Sequence, residues 1–179
     1  MADAPSSRAP KPQDNKAATR PLPEAATKEQ SAPAPKAKTA PPAEGVAKHQ
    51  TKVLVAEDNP VVRKGLNNFV SKWGFAPVEA ENGDDAWQIL ENDPTIRLAI
   101  LDWNLPGLTG MQICQRLRTK RPRPYVYALI FSARKSDEEQ VLALEGGADD
   151  YLAKPAKPSL LRARLGVGVR LIELLGDNG

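Results

Sequence analysis

Short apolar runs alternate with longer stretches of helical character along residues 51–179. The run Lys52–Ala56 is apolar almost throughout, which is typical of a strand that is covered on both faces. Strands that alternate with helices predict a parallel sheet with helices on both sides. We therefore predict an α/β fold with a doubly wound, five-stranded parallel sheet. The predicted strands are Lys52–Ala56, Pro77–Ala80, Leu98–Leu101, Tyr125–Phe131 and Asp150–Ala153.

Start and stop residues bound the predicted helices. Pro60 suits the first position of a helix, where its missing N–H costs nothing. Thr109 with Gln112, and Ser136 with Glu139, have the spacing of a capping box. These signals predict helices over about 60–73, 84–92, 109–120, 136–146 and 159–175.

Residues 1–50 differ in composition from the rest of the chain. They hold nine of the 17 prolines and, among the larger apolar residues, only Met1, Leu22 and Val46. Such a segment cannot bury enough apolar surface to offset the entropy that is lost on ordering. We predict a disordered Pro/Ala/Lys-rich leader at residues 1–50 and one folded domain at residues 51–179.

Charge and cysteine content narrow the class of protein. The net charge of +3 comes from the leader, and this excess is too small to predict direct binding of nucleic acid. No apolar stretch has the length of a signal-peptide core or a membrane span. The single cysteine, Cys114, cannot form an internal disulfide and suits a reducing compartment. We expect a cytoplasmic protein without membrane association.

Polar residues follow four of the five predicted strands. Glu57 and Asp58 come after the first strand, Asp102 after the third, Ser132 after the fourth and Lys154 after the fifth. An acidic residue after a strand is commonly a helix cap or a turn former, so each one alone is a weak signal. In a doubly wound sheet, however, the carboxyl ends of the strands form the ligand-binding edge. We therefore expect these five side chains to lie together.

The combination has a chemical logic. Three neighbouring carboxylates repel one another unless a cation joins them. Mg²⁺ is held by few carboxylates and keeps positions open for phosphate oxygens, and a carboxylate beside it can attack a phosphoryl group. Lys154 and Ser132 are suitable partners for phosphoryl oxygens. His49 is the one histidine and falls in the predicted leader, so the domain has neither a Ser-His-Asp triad nor a phosphohistidine of its own.

Four segments resemble the receiver domains of two-component response regulators. They are VLVAEDN at 53–59, AILDWNLPGLTG at 99–110, FSA at 131–133 and GADDYLAKP at 147–155. The spacings also match the family: 44 residues from Asp58 to Asp102, 30 more to Ser132 and 22 more to Lys154. The resemblance covers about residues 51–175 and implies a flavodoxin-like sheet with strand order 2-1-3-4-5.

The resemblance implies a role for each matching residue. Asp102 is similar to the phosphoacceptor of the family. Asp58, Asp102 and the backbone carbonyl of Asn104 would ligate Mg²⁺, with Glu57 acting mostly through water. Lys154 would pair with the phosphoryl group, and the Lys154–Pro155 bond is expected to be cis.

The resemblance also implies a switch. Ser132 would bond a phosphoryl oxygen and move toward it, and Tyr151 would turn inward when Ser132 moves. A Tyr151 ring that is half-buried and never moves is the simpler alternative. Asn104 and Arg134 follow Asp102 and Ser132 by two residues, at positions that tune the phosphate lifetime in the family. Glu57 and Ser132 replace the family's commoner aspartate and threonine and keep the same chemistry.

The partners that the family implies are a sensor histidine kinase or a histidine phosphotransfer protein, and a downstream effector protein. The last predicted helix carries more apolar residues than one sheet-facing stripe needs. A homodimer through the face of helix four, strand five and helix five is therefore a candidate, and ordinary wrapping of the sheet explains the surplus equally well. The resemblance implies no enzyme activity beyond phosphorylation and dephosphorylation of Asp102 itself.

Two other functions fit parts of the pattern. A pseudo-receiver would keep the fold as an unphosphorylated interaction module, but the complete set of strand-end residues argues against it. A Mg²⁺-dependent phosphohydrolase of the haloacid-dehalogenase type also uses an aspartate nucleophile after a strand. Such enzymes need a second aspartate two residues later, where this chain has Asn104.

Overall fold

The structure, a computed structural model, describes residues 50–120 and 124–176. The leader that we predict at residues 1–50 therefore lies outside the described residues, apart from Gln50. Strands and helices alternate along the described chain. The strands are β1 (Lys52–Ala56), β2 (Ala76–Ala80), β3 (Leu98–Leu101), β4 (Tyr127–Ser132) and β5 (Asp150–Ala153). The helices are α1 (Pro60–Lys72), α2 (Gly83–Asn92), α3 (Gly110–Thr119), α4 (Asp137–Glu145) and α5 (Pro158–Gly176).

The five strands form one parallel sheet in the order β2-β1-β3-β4-β5. This confirms the predicted fold class and the strand order. The central strand β3 is buried at every residue, as expected for a strand with helices over both faces.

Two apolar layers cover the sheet. Alternate residues of β1 point to opposite faces, so Val53 and Val55 pack with α1 and α5, while Leu54 and Ala56 pack with α2, α3 and α4. The sheet therefore buries side chains on both faces, and its carboxyl edge is left to carry polar groups. No helix in the described residues is long and apolar enough to span a lipid bilayer.

The predicted start signals of three helices are present, and Asn59 adds a cap that we did not predict. The Asn59 side chain accepts hydrogen bonds from the first turn of α1, with Pro60 at the first helical position. The capping boxes at Thr109 and Ser136 both form, with these residues as N-caps rather than as the first helical residues.

The fourth strand begins later than we predicted. Tyr125 precedes β4, which starts at Tyr127 and reaches Ser132. Since β3 begins at Leu98, which pairs with Tyr127, an earlier residue has no partner strand on that side. The Tyr125 ring instead lies under the guanidinium of Arg118, 4.7 Å from its centre.

Candidate functional site

Three carboxylates meet at the carboxyl edge of the sheet. Glu57 and Asp58 follow β1, and Asp102 follows the adjacent strand β3, where its N–H donates to the Ala56 carbonyl at 2.9 Å. One carboxylate oxygen from each of the three residues lies within 4.8 Å of the other two. Glu57 and Asp102 are buried, whereas Asp58 is exposed. The pocket is therefore open to solvent on the side of Asp58.

Lys154 enters the same pocket from the end of β5. Its Nζ lies 3.0 Å from Asp102 Oδ2 and 2.5 Å from Glu57 Oε2. The backbone N–H of Lys154 donates to the Ser132 carbonyl at 2.7 Å. The Lys154–Pro155 bond is cis, as the resemblance to receiver domains implied. One ammonium group thus bonds two of the three carboxylates.

The charges in this pocket are not balanced. Burial raises the pKa of the Glu57 carboxyl above its usual 4.5, although the hydrogen bond from Lys154 opposes the shift. Three carboxylates against one ammonium group leave an excess of negative charge in a mostly buried space. Hard oxygen donors at this spacing suit a small divalent cation such as Mg²⁺, so the donor set fits the predicted ion.

Ser132 and Tyr151 lie on the neighbouring strands β4 and β5. Ser132 is fully buried, and its Oγ accepts a hydrogen bond from the Arg134 N–H at 3.3 Å. The Tyr151 hydroxyl donates to the Arg134 carbonyl at 2.7 Å, and burial raises its pKa. Arg134 therefore connects the candidate switch residues through its backbone.

The side chain of Arg134 reaches the loop that follows Asp102. Its guanidinium lies 4.9 Å from the centre of the Trp103 ring and bonds Glu139 Oε1 at 2.8 Å and Asn104 Oδ1 at 3.3 Å. The Asn104 N–H in turn points at Asp102 Oδ1, 3.4 Å away. Asn104 and Arg134 thus flank the Asp102 carboxylate.

The strand-end residues that the sequence singled out all lie in or beside one pocket. One residue that sequence reasoning missed also touches it. Arg63 is buried in α1 and donates to the carbonyls of Glu57 and Asp58. The available signal was a charged residue on the buried face of α1, in helical register with Leu66 and Val70.

Fold and site together define a class: a doubly wound α/β receiver domain with an acidic pocket at the carboxyl edge of its sheet. The profile of the response regulator receiver domain family matches residues 53–166. The chain belongs to this family.

Several relatives share this region of the chain. The phosphate regulon transcriptional regulatory protein PhoB of Escherichia coli K12 is 38% identical over 121 residues, which cover 68% of this chain and 52% of PhoB. The chemotaxis protein CheY1 of Helicobacter pylori is 29% identical over 117 residues, which cover 65% of this chain and 94% of CheY1. The chain therefore spans about half the length of PhoB and nearly all of CheY1.

Solved receiver domains have the same fold. The BeF3-activated N-terminal receiver domain of Klebsiella pneumoniae RstA is 32% identical, with a TM-score of 0.60 over 66% of this chain and 98% of that one. A probable two-component system response regulator/GGDEF domain protein is 26% identical, with a TM-score of 0.64 over 69% of this chain and 51% of that one.

Proposed function

We propose that this chain is a phosphoacceptor receiver: it takes a phosphoryl group onto Asp102 in the presence of Mg²⁺ and signals by a change of conformation. The observation that carries this proposal is the position of the Asp102 carboxylate. It is itself buried, it lies within one acidic cluster with the buried Glu57 and the exposed Asp58, and it is 3.0 Å from the ammonium group of Lys154.

The metal would be held by Asp58, Asp102 and the backbone carbonyl of Asn104, with Glu57 acting mostly through water. When bound, Mg²⁺ supplies positive charge that offsets the carboxylates and the phosphoryl oxygens. Residues of the chain position the acceptor. Lys154 bonds one oxygen of the Asp102 carboxylate, and Glu57 holds Lys154 in place through a bond of 2.5 Å.

In the proposed transfer, an Asp102 carboxylate oxygen attacks the phosphorus atom of a phosphohistidine on a partner protein. The new O–P bond forms as the N–P bond to the histidine breaks, and the electron pair of that bond stays on the imidazole. The Lys154 ammonium and the Ser132 hydroxyl then bond the phosphoryl oxygens. A small phosphodonor such as acetyl phosphate can replace the partner. Hydrolysis of the acyl phosphate at Asp102 returns the domain to its starting state, and no other substrate is turned over.

The conformational signal would pass from Ser132 to Tyr151. Both residues bond Arg134, Ser132 through the Arg134 N–H and Tyr151 through its carbonyl. A movement of Ser132 toward the phosphoryl group would therefore shift the backbone of Arg134, whose carbonyl accepts the hydrogen bond from the Tyr151 hydroxyl. Taking a switch from 1:99 to 99:1 requires about 5.5 kcal/mol of preference, within the range of two or three charged hydrogen bonds.

The proposed partners are a sensor histidine kinase or a histidine phosphotransfer protein for input, and an effector protein for output. The output face would be α4, β5 and α5, which also offers a surface for homodimer formation. Large apolar side chains on α4 support this role, since Val141, Leu142 and Leu144 are 51%, 57% and 46% exposed.

The two alternatives make different predictions. A pseudo-receiver would not need a lysine bonded to the acceptor carboxylate, and Lys154 bonds Asp102 directly. A phosphohydrolase would need an acid or base two residues after the nucleophile. Asn104 stands at that position with its side chain bonded to Arg134, and an amide does not exchange protons with a leaving group.

Intact-mass measurement after incubation with Mg²⁺ and acetyl phosphate tests the proposal. We expect the wild-type chain and Asp137→Asn, a control at an exposed aspartate of α4, to gain one phosphoryl group, and Asp102→Asn to gain none. A gain that persists in Asp102→Asn contradicts the assignment. No gain in the wild-type chain favours the pseudo-receiver, and steady phosphate release from phosphomonoesters favours the hydrolase.

A further inference from the structure

Arg63 is a buried charged residue of α1 that belongs to no part of the proposed phosphoryl chemistry. It is 8% exposed and lies on the helix face that carries Leu66 and Val70. A guanidinium in such a position is costly unless all of its nitrogens find partners. The identity of those partners therefore shows what Arg63 holds in place.

The partners of Arg63 belong to two segments. Nη1 donates to the Glu57 carbonyl at 2.7 Å and is 3.3 Å from the Asp58 carbonyl. Nη2 bonds Glu81 Oε1 at 2.5 Å, and Nε lies 3.4 Å from Glu79 Oε2. The guanidinium thus ties the loop after β1 to the end of β2 and the residue that follows it.

We infer that Arg63 is a positioning residue for the metal site, and this inference rests on the proposed Mg²⁺ site. The backbone conformation of Glu57 and Asp58 sets the direction of their side chains. Arg63 restrains that conformation, because it bonds the carbonyl oxygens of both residues. The Glu57 N–H is held as well, since it donates to the Ala80 carbonyl at 3.1 Å. Both peptide groups of Glu57 are therefore bonded to neighbouring parts of the fold.

Removing the guanidinium would release the two carbonyls while leaving all three carboxylates in the chain. The side chains of Glu57 and Asp58 could then rotate away from Asp102. The binding of Mg²⁺ would in that case have to order the loop after β1. Partners that orient the ligands of a metal typically change its affinity by about 10–100-fold when they are removed. A purely structural arginine would change stability without this effect.

Arg118 offers a matched control at the amino end of the sheet. Its Nε donates to the Gly147 carbonyl at 2.8 Å, its Nη1 to the Val126 carbonyl at 3.2 Å, and its Nη2 to Asp149 at 2.5 Å. Like Arg63, it joins two backbone carbonyls to a carboxylate. It differs in bonding none of the residues of the acidic pocket in the described chain.

The test is calorimetric titration of the full chain with MgCl2 alone, together with thermal unfolding, for the wild type, Arg63→Met, Arg63→Lys and Arg118→Met. We expect both methionine variants to lose thermal stability. Arg63→Met should weaken Mg²⁺ binding at least about tenfold, and Arg118→Met should stay within about twofold of the wild type. Arg63→Lys keeps the charge but not the fork of donors, so its affinity should fall between Arg63→Met and the wild type.

Each other result counts against the inference. If Arg63→Met is folded and binds Mg²⁺ as tightly as the wild type, Arg63 is only a structural residue. The same conclusion follows if Arg118→Met loses as much affinity for Mg²⁺ as Arg63→Met does. Should Arg63→Met fail to fold, unchanged affinity in Arg63→Lys overturns the inference in the same way. A wild-type chain that does not bind Mg²⁺ contradicts the proposed function itself, which separates that failure from a failure of the role of Arg63.

Discussion

Lys154 has two carboxylate partners in a pocket that holds three. Its Nζ lies 2.5 Å from Glu57 and 3.0 Å from Asp102, and the burial of Glu57 raises the pKa of that carboxyl. A buried carboxylate that depends on a single shared cation is poorly stabilised. The excess negative charge of the pocket therefore favours binding of a second cation, such as the proposed metal ion, beside Asp102.

Cys114 shows the opposite situation, a titratable group with no role at the site. It is fully buried in α3, and burial raises the pKa of its thiol to about 12. Since the thiolate is the reactive species, we expect the native chain to resist a thiol reagent such as DTNB at pH 8. The same chain in guanidinium chloride should react fully. A variant with an exposed cysteine, Ser159→Cys, should react at once without denaturant, and stoichiometric labelling of the native wild type would contradict the prediction.

The start of α2 packs directly on the loop that follows Asp102. The Gly83 N–H donates to the Pro106 carbonyl at 2.9 Å, and a Cβ at Gly83 would lie 1.6 Å from the Leu108 carbonyl oxygen. Gly107 has a φ of +73°, which favours glycine, and lies against the Asp84 side chain. Two elements that are separate in sequence are thus in backbone contact beside the site.

A pair of glycine variants tests this contact. Gly83→Ala should destabilise the domain by about 1–3 kcal/mol, because backbone must move to admit the methyl group. Gly65→Ala, in α1, has open space around the new Cβ and should stabilise the helix by about 0.5–1 kcal/mol. Urea unfolding measures both changes. Equal stability of Gly83→Ala and the wild type would show that the loop after Asp102 moves to admit the methyl group without a cost in stability.

The sequence predicts local structure well, but it does not predict contacts that depend on how distant elements pack. Continuous apolar runs and capping residues predicted all five strands and helices, because these signals are local. The gathering of Glu57, Asp102 and Lys154 was predictable as well, since the carboxyl ends of parallel strands meet at one edge. Arg63 was not, because its partners are backbone carbonyls and the residues Glu79 and Glu81, whose approach depends on how α1 packs on β2.

At the scale of the whole molecule, one helix at the edge of the sheet leaves apolar side chains in contact with solvent. The helix α4 buries only Ala143 among its residues and exposes Val141, Leu142 and Leu144. It also lies next to β5, which carries Tyr151 and leads to Lys154. Phosphorylation of Asp102, as proposed, would therefore occur close to an apolar surface, which is the arrangement that a phosphorylation-dependent contact needs.

The proposed homodimer can be tested through this surface. Light scattering after size exclusion, with Mg²⁺ and with or without beryllofluoride, should show a shift from one chain to two when beryllofluoride is present. Leu142→Glu should remain a single chain, because the dimer would bury a carboxylate against an apolar face. Val61→Glu, at a residue of α1 that is 79% exposed, should dimerise like the wild type. If Leu142→Glu dimerises normally, or if Val61→Glu is equally impaired, the contact lies elsewhere. A wild type that stays a single chain in beryllofluoride would show that output depends on a different protein.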